Sequence, residues 1–516
     1  MRGLGVSRAA LLSVLAAWTF LLALDAGSGL AEEGGLEVGA ISDLDLEAVR
    51  RILDASDDAG APAIRERRAF SLEEAVRVSL ENNLGLRVVA LDVEASEFGI
   101  KGARSKFYPA LGIDGGARET KRAQSDPNLQ DEFTQNQDLR LRINQQVPTG
   151  GSVSLGVGYS RAFKNEVNED LESGISRNLE SVSELGGLGI EIRQPLLRGG
   201  RIFVARRRIL DAEYDTAISR AKLRAEVLNV TAETKSAYYR VVQALRQIEV
   251  IQQALGRDAE LIRASDALFE AGRVSKVDVY SAQISRSNNQ ARLATAGAEL
   301  EIVQNRLRKV IGLPAQLQVD TTDLMIPFRP LKIELDRWIE RALESRPEMS
   351  LTRSQIEKAD LAVRVSKNAT LPTLDIRGGF EPGFDWKSWN WNAGVGFGYS
   401  IGSVGAKSAL GQARARRAQA RQEYVRAKRD IELEVRDVEI RLREGVERLK
   451  SLISQVESSR AKGEIARGRF EMGLASNFDV TDADAELVRS ESMLLEALVD
   501  YASNRALLEA RIGGLL

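Results

Sequence analysis

Two stretches decide the reading of this chain: Phe269-Glu270-Ala271-Gly272-Arg273-Val274-Ser275-Lys276-Val277-Asp278-Val279 and Phe470-Glu471-Met472-Gly473-Leu474-Ala475-Ser476-Asn477-Phe478-Asp479-Val480, which share Phe-x-x-Gly-x-x-Ser-x-x-Asp-Val at an offset of 201 positions. Glycine is the default residue of the tight turn that ends a helix. Each stretch is therefore predicted to be the tip of a helical hairpin. The flanks agree. Leu223, Val227, Val230, Ala237, Val241, Ala244, Ile248, Ile251 and Leu255 recur with three-four spacing, as do Ile431, Val435, Val438, Leu442, Val446, Leu449, Ile453 and Val456. The helices read as 201–255 with partner 258–311, and 404–457 with partner 459–511, giving hairpins about 80 Å long at about 1.5 Å per residue.

A second correspondence lies further out. Leu72, Leu80, Pro109, Leu111 and Gly115-Gly116 recur as Leu335, Leu343, Pro372, Leu374 and Gly378-Gly379, each 263 positions on. The chain is read as two tandem copies of helix, strands and long hairpin. The first, 70–334, holds a helix at 71–107, strands within 108–197, the hairpin 201–311 and a connector 312–334. The second, 335–516, holds a helix at 335–370, strands within 372–402 and the hairpin 404–511. The drop from 263 to 201 leaves the first copy with about 62 extra residues.

The strand segments alternate with period two. Leu139-Arg140-Leu141-Arg142-Ile143-Asn144 and Val153-Ser154-Leu155-Gly156-Val157-Gly158-Tyr159 each carry one apolar and one polar or glycine face. A soluble sandwich turns such apolar faces inward, and an outer-membrane barrel turns them to lipid. Trp386, Trp389 and Trp391 fit either an interfacial girdle or a packed aromatic loop.

The N-terminus addresses the compartment. Arg2 and Arg8, an apolar run from Ala9 to Leu24 and small residues at Gly29-Leu30-Ala31 form a secretory leader over 1–31. The run is shorter than the roughly 20 residues a spanning helix needs. Residues 32–69 read as a periplasmic extension with an amphipathic stretch around Leu46 to Leu53. The chain has no cysteine and no histidine, which excludes disulfides, thiolate nucleophiles, cysteine zinc sites and imidazole bases. No metal site, cofactor or catalytic residue is expected. With 72 basic and 74 acidic residues, the net charge of -2 gives no footprint for nucleic acid. Arg206-Arg207-Arg208 and the arginines from Arg414 to Arg421 lie on helices among acids and alanines, as solvated faces do.

The leader, the tandem order, the Gln194-Pro195-Leu196-Leu197-Arg198-Gly199-Gly200 junction from strand to helix and the two tip motifs together resemble the outer-membrane efflux protein (TolC) family, from about Phe70 to Leu516. The resemblance implies a mixed fold: long helical hairpins forming a periplasmic α-barrel by coiled-coil packing, and antiparallel transmembrane strands closed into a β-barrel by homotrimerisation. It implies an outer-membrane channel-tunnel in a Gram-negative type envelope, passing substrates from an inner-membrane transporter and a periplasmic adaptor across the periplasm and the lipid of the outer membrane. Tripartite efflux pumps and type I secretion systems share such a component. A periplasmic coiled-coil adaptor or scaffold without a barrel is the alternative, and it leaves the alternating strands unused.

On the same resemblance, Asp479-Val480-Thr481-Asp482-Ala483 matches an element whose aspartates ring the periplasmic entrance. Three copies of Asp479 and Asp482 would place six carboxylates there, attracting cations. The competing reading makes Asp479 a helix cap and Asp482 a first-turn acid favoured by the dipole. Asp278 is the single acid at the matching place in the first copy. Phe470 takes the position of an aromatic that holds the entrance closed. Ala475 stands where some relatives carry a basic residue, so the gate is expected to rely less on inter-helix salt links. Gly272, Arg273, Val274, Ser275, Gly473, Leu474, Ala475 and Ser476 form the expected adaptor-docking tips.

One feature departs from the family's four strands per protomer. Pro148-Thr149-Gly150-Gly151 is a turn signal between alternating runs at 138–147 and 152–163, with longer polar connections at 120–137 and 164–184. An extra hairpin, 138–163, inserted in the barrel wall would give about eighteen strands in a trimer. A hairpin outside the wall, or plugging it, would leave twelve.

Overall fold

A computed structural model describes residues 67–122, 132–170, 175–323, 325–326, 328–384 and 386–514, all within the compact unit Ile52–Leu516. The leader read at 1–31 and the extension up to residue 66 lie outside the described residues. The helices are α1 Leu72–Asn82, α2 Leu84–Ser105, the short α3 Ile202–Ala205, α4 Arg207–Glu270, α5 Lys276–Ile311, α6 Leu335–Ser345, α7 Pro347–Ala369, α8 Val404–Glu471 and α9 Asn477–Arg511. No described helix is long and apolar enough to cross a membrane.

The long helices differ from the expected ones in where they stop. α4 continues unbroken through Gly256 to the tip, and α8 runs in the same way to Glu471, with 64 and 68 residues. Each is about 100 Å long at 1.5 Å rise, far longer than its return partner. A shorter helix completes the other side of each. Gly312, at φ +77°, ends α5 so closely against the start of α2 that a Cβ there would sit 2.1 Å from the Asn82 carbonyl oxygen. α5 and α2 thus lie end to end along α4. Gly513 meets Ser345 in the corresponding place, and α9 and α7 flank α8.

Two helices read as continuous are broken. The helix expected at 71–107 parts at Asn83 (ψ 116°), and the one at 335–370 parts at Arg346 (ψ 132°). Asn83 caps α2 by accepting from Leu86 N–H and donates from Nδ2 to the Val310 carbonyl. Such local bonding competes with the helical ladder. Arg346 precedes Pro347, whose ring disfavours the α region for its neighbour. The Arg346 guanidinium, 5% exposed, is held by Glu348 and Glu434 at 2.6 Å each.

The connector is organised by a feature the sequence reading lacked. Strand β1 Arg67–Phe70 pairs in parallel with Gln318–Thr321, which joins residues read as extension to residues read as connector. Tyr238 Oη lies 3.0 Å from the Phe70 carbonyl and 2.9 Å from Asp323, and burial pushes this phenol up to about 12. Tyr501 Oη accepts from Leu331 N–H and donates to the Arg329 carbonyl. Two tyrosines from the long hairpins therefore clasp one connector.

Strands β2 Ala110–Arg122, β3 Glu132–Gln146, β4 Ser152–Asp170 and β5 Ile175–Pro195 are followed, after β6 Gln318–Thr321, by β7 Thr373–Pro382 and β8 Trp389–Gly398. They form a six-stranded antiparallel sheet in the order β2-β3-β4-β5-β7-β8. One row of cross-strand partners runs Leu111–Ile143–Leu155–Ile190–Phe380–Trp391 over all six strands. The row beside it, on the opposite face, runs Ala110–Asn144–Ser154–Glu191–Gly379–Asn392. The expected alternation is thus shared across the sheet. Trp389 and Trp391 stand two apart on β8, on its apolar face, and both are exposed.

Strands β3, β4 and β5 run further than expected. Pairing of β4 with β5 reaches Asp170↔Ile175, through residues read as a polar loop.

Candidate functional site: the helical tips

Both tips are built in the same way. In the first, Gly272 at φ +70° follows the end of α4. Its N–H donates to the Phe269 carbonyl, and Arg273 N–H reaches back to Leu268. Gly473 at φ +76° repeats the pattern with Phe470 and Arg469. These paired bonds satisfy the last carbonyls of each helix, and glycine takes the left-handed position without a Cβ clash. The return helices start on capping boxes. Asp278 Oδ2 accepts from Ser275 N–H (3.0 Å) and Oγ (2.9 Å), and Asp479 Oδ2 from Ser476 N–H (2.9 Å) and Oγ (3.0 Å). Hydrogen bonds from the Ser476 backbone and hydroxyl hold the exposed Asp479 carboxyl below the usual carboxylate range. Both aspartates therefore cap helices.

The two tips face one another across a cleft of about 630 Å³ lined by Gly272, Arg273, Val274, Ser275, Asp278, Gly473, Leu474, Ala475, Ser476 and Asp479. All eight expected docking residues and two of the expected gate residues meet there. They are not equally available. Leu474 is 64% exposed. Val274 and Ala475, expected to stand free beside the glycines, are half-buried against a small core of Leu261, Ala282, Phe470 and Val480. Phe470, expected at the entrance, is 1% exposed inside that core. Within the protomer it holds the hairpins together.

Asp482 lies outside the cleft. Lys462 on α8 binds it at 3.0 Å and Glu486 at 2.7 Å, and the hydrogen bonds the lysine donates to Glu486 and then Asp482 raise its pKa. Further along, the carboxylate of buried Asp484 on α9 receives Arg257 from α4 and Arg467 from α8. Ion pairs thus link α8 and α4 to α9 beside the second tip. The basic partners lie on the incoming helices.

Sequence reading missed Asn477, which is fully buried. Its Nδ2 donates to the Asp278 carbonyl (2.5 Å) and to Ser265 Oγ (3.1 Å), and its N–H lies 3.4 Å from Asp278 Oδ1. One side chain therefore ties the second tip to the first. Its counterpart in the first tip is Lys276, so comparison of the motifs carried no signal.

An apolar-faced antiparallel sheet is thus joined to helical hairpins some 100 Å long that end in paired tips. The chain belongs to the outer membrane efflux protein family, whose model matches residues 75–313 and 338–514. It is 29% identical over 193 residues to the outer membrane efflux protein BepC of Brucella suis biovar 1 (strain 1330), a match covering 37% of this chain and 40% of that protein's length. Its fold is that of the outer-membrane channel OprN (TM-score 0.65, 20% identity, 89% of this chain and 96% of that one). It is likewise that of the Campylobacter jejuni CmeC outer membrane channel (TM-score 0.63, 16% identity, 88% and 91%). Membership of this family places the chain in the outer membrane.

Proposed function

We propose that the chain is the exit duct of a tripartite export assembly, conducting substrates passively from an inner-membrane transporter and a periplasmic adaptor to the cell exterior. Three protomers close one barrel and one tunnel, because a six-stranded sheet has two open edges and unpaired backbone cannot stand in lipid. The carrying observation is the apolar row across all six strands. A soluble scaffold has no use for large side chains as exposed as Ile113 (69%), Val395 (71%) and Phe397 (70%) on one face.

The tips form the periplasmic entrance in this reading. The cleft between them receives the adaptor, and Leu474 is the most exposed apolar side chain lining it. Asp479 and Asp482 from three copies set the field at the mouth, with Lys462 offsetting part of it. No covalent chemistry is involved, and energy comes from the inner-membrane partner. Expression of the full chain in a Gram-negative host tests this: it should enter the outer-membrane fraction as a trimer, form channels in planar bilayers and copurify with an adaptor. Recovery in the soluble periplasm without channel activity would contradict the reading.

A further inference from the structure

The hairpin of β3 and β4 has the chemistry of barrel wall and is bonded as wall. Ile143 and Leu155 belong to the same apolar row as Leu111, Ile190 and Phe380, so the hairpin presents lipid-type side chains at the height where its neighbours do. Directly beyond the row of Leu139 and Tyr159, the same face turns polar as Gln137, Arg161 and Glu184, the last two paired at 3.4 Å. The opposite face carries Arg140, Arg142, Ser154, Gly156 and Gly158. A plug standing in water would need no apolar face, and a hairpin lying outside the wall would leave β2 beside β5. Instead β2 pairs with β3 from Ala110 to Arg122, and β4 pairs with β5 along its whole length.

The periplasmic end is fastened as well. Gly150, at φ +90°, approaches the backbone of Gly199 so closely that a Cβ would lie 2.1 Å from its carbonyl oxygen. Thr149 Oγ1 is 2.8 Å from Gln194 Oε1, and Gln194 Nε2 donates to the Thr149 carbonyl at 3.2 Å. The turn of the hairpin is thus seated on the junction where strand passes into helix. Asn368 of α7 grips that junction from the other side, accepting from Gly199 N–H and donating to the Leu197 carbonyl.

The geometry points to a wall of eighteen strands, six from each of three protomers, with β2 of one copy bonded to β8 of the next. This rests on the trimer proposed above. At about 4.8 Å between strands and about 40° tilt, eighteen strands give a backbone diameter of roughly 36 Å, against roughly 24 Å for twelve. The inward face mixes glycine, serine and asparagine with charges of both signs, among them Arg140, Arg142, Arg193 and Arg377, so the lumen of the wider wall is polar.

Because the chain has no cysteine, single cysteines can be labelled cleanly in the full-length protein reconstituted in liposomes. Fluorophores at Leu141→Cys and Val157→Cys should lose at least about twofold more emission to a nitroxide-bearing phospholipid than those at Arg142→Cys and Gly156→Cys. Aqueous iodide should rank them the other way. A cysteine pair at Ile113 and Leu141 should form a disulfide within one chain, and a pair at Ile113 and Leu188 should not. Iodide quenching at Leu141 and Val157 equal to that at Arg142 and Gly156, or a disulfide between positions 113 and 188, overturns the wall assignment. An unsubstituted protein that is not trimeric overturns the count of eighteen and the trimer reading, whatever the labels report.

Discussion

The two tips share one motif and one turn, yet the same letters do different work in each. Phe269 is 43% exposed, whereas Phe470, at the same motif position, is 1% exposed and central to the tip core. Asp278 caps its own helix and also receives the second tip through Asn477, while Asp479 caps its own helix. Lys276 occupies the place of Asn477, and there the side chain is exposed rather than buried. A motif therefore fixes the local turn. Which copy becomes core and which becomes surface is decided by the packing of α9, and of Phe470 at the end of α8, against α4 and α5.

The largest expected difference between the tips is in the aromatics. Phe470→Ala should open a cavity and cost about 3–5 kcal/mol of local stability, read as faster hydrogen exchange of the tip amides. Phe269→Ala should cost about 1 kcal/mol or less. Equal losses would mean that the tips are packed alike in the assembled protein.

Asn477→Ala removes the side-chain bonds to Asp278 and Ser265 and leaves the Asp278 carbonyl without that donor, a loss of about 1–3 kcal/mol. Lys276→Ala should be close to neutral. Distance measurements between spin labels on the two turns should show a broadened spread only in the first variant.

The glycines should behave alike, which makes them the control. Gly272→Ala and Gly473→Ala each force a Cβ into the left-handed region at about 1–2 kcal/mol, with open space around both positions. A large difference between the two would show that one turn is not free in the assembly.

The smallest effect is the pH dependence of the second turn. The Asp479 carboxyl titrates below its ordinary value, chiefly because the Ser476 backbone and hydroxyl bond its charged form. The cap is fully present above about pH 4 and is lost as the pH falls through the lower folded-state value. Asp479→Asn should flatten the acid limb of an exchange profile at the second tip and leave the first tip unchanged.

Much of this architecture is legible in the sequence because it is periodic. Three-four spacing over Ile431 to Val456 has no reading but a long helix, and alternation over Leu139 to Tyr159 has no reading but a strand. The failures fall where a few residues act through distant partners. β1 has four residues and finds its partner about 250 positions away, too short for alternation to register. The break at Asn83 depends on Val310 and on the close approach of Gly312, neither visible locally. The break at Arg346 was announced by Pro347. At the site, the turns at Gly272 and Gly473 and the capping role of Asp479 were readable because they are local, and the burial of Phe470, Val274 and Asn477 was not, because it is tertiary.

Selectivity of the single channel tests the central claim most directly, that the tips are the mouth of an outer-membrane passage. In planar bilayers the unsubstituted protein should be cation-selective and blocked by multivalent cations from the tip side. Asp479→Ala with Asp482→Ala should weaken both properties, and Lys462→Gln, which frees Asp482 and Glu486 from their partner, should strengthen them. Channels whose selectivity and block are the same in all three proteins would contradict the account.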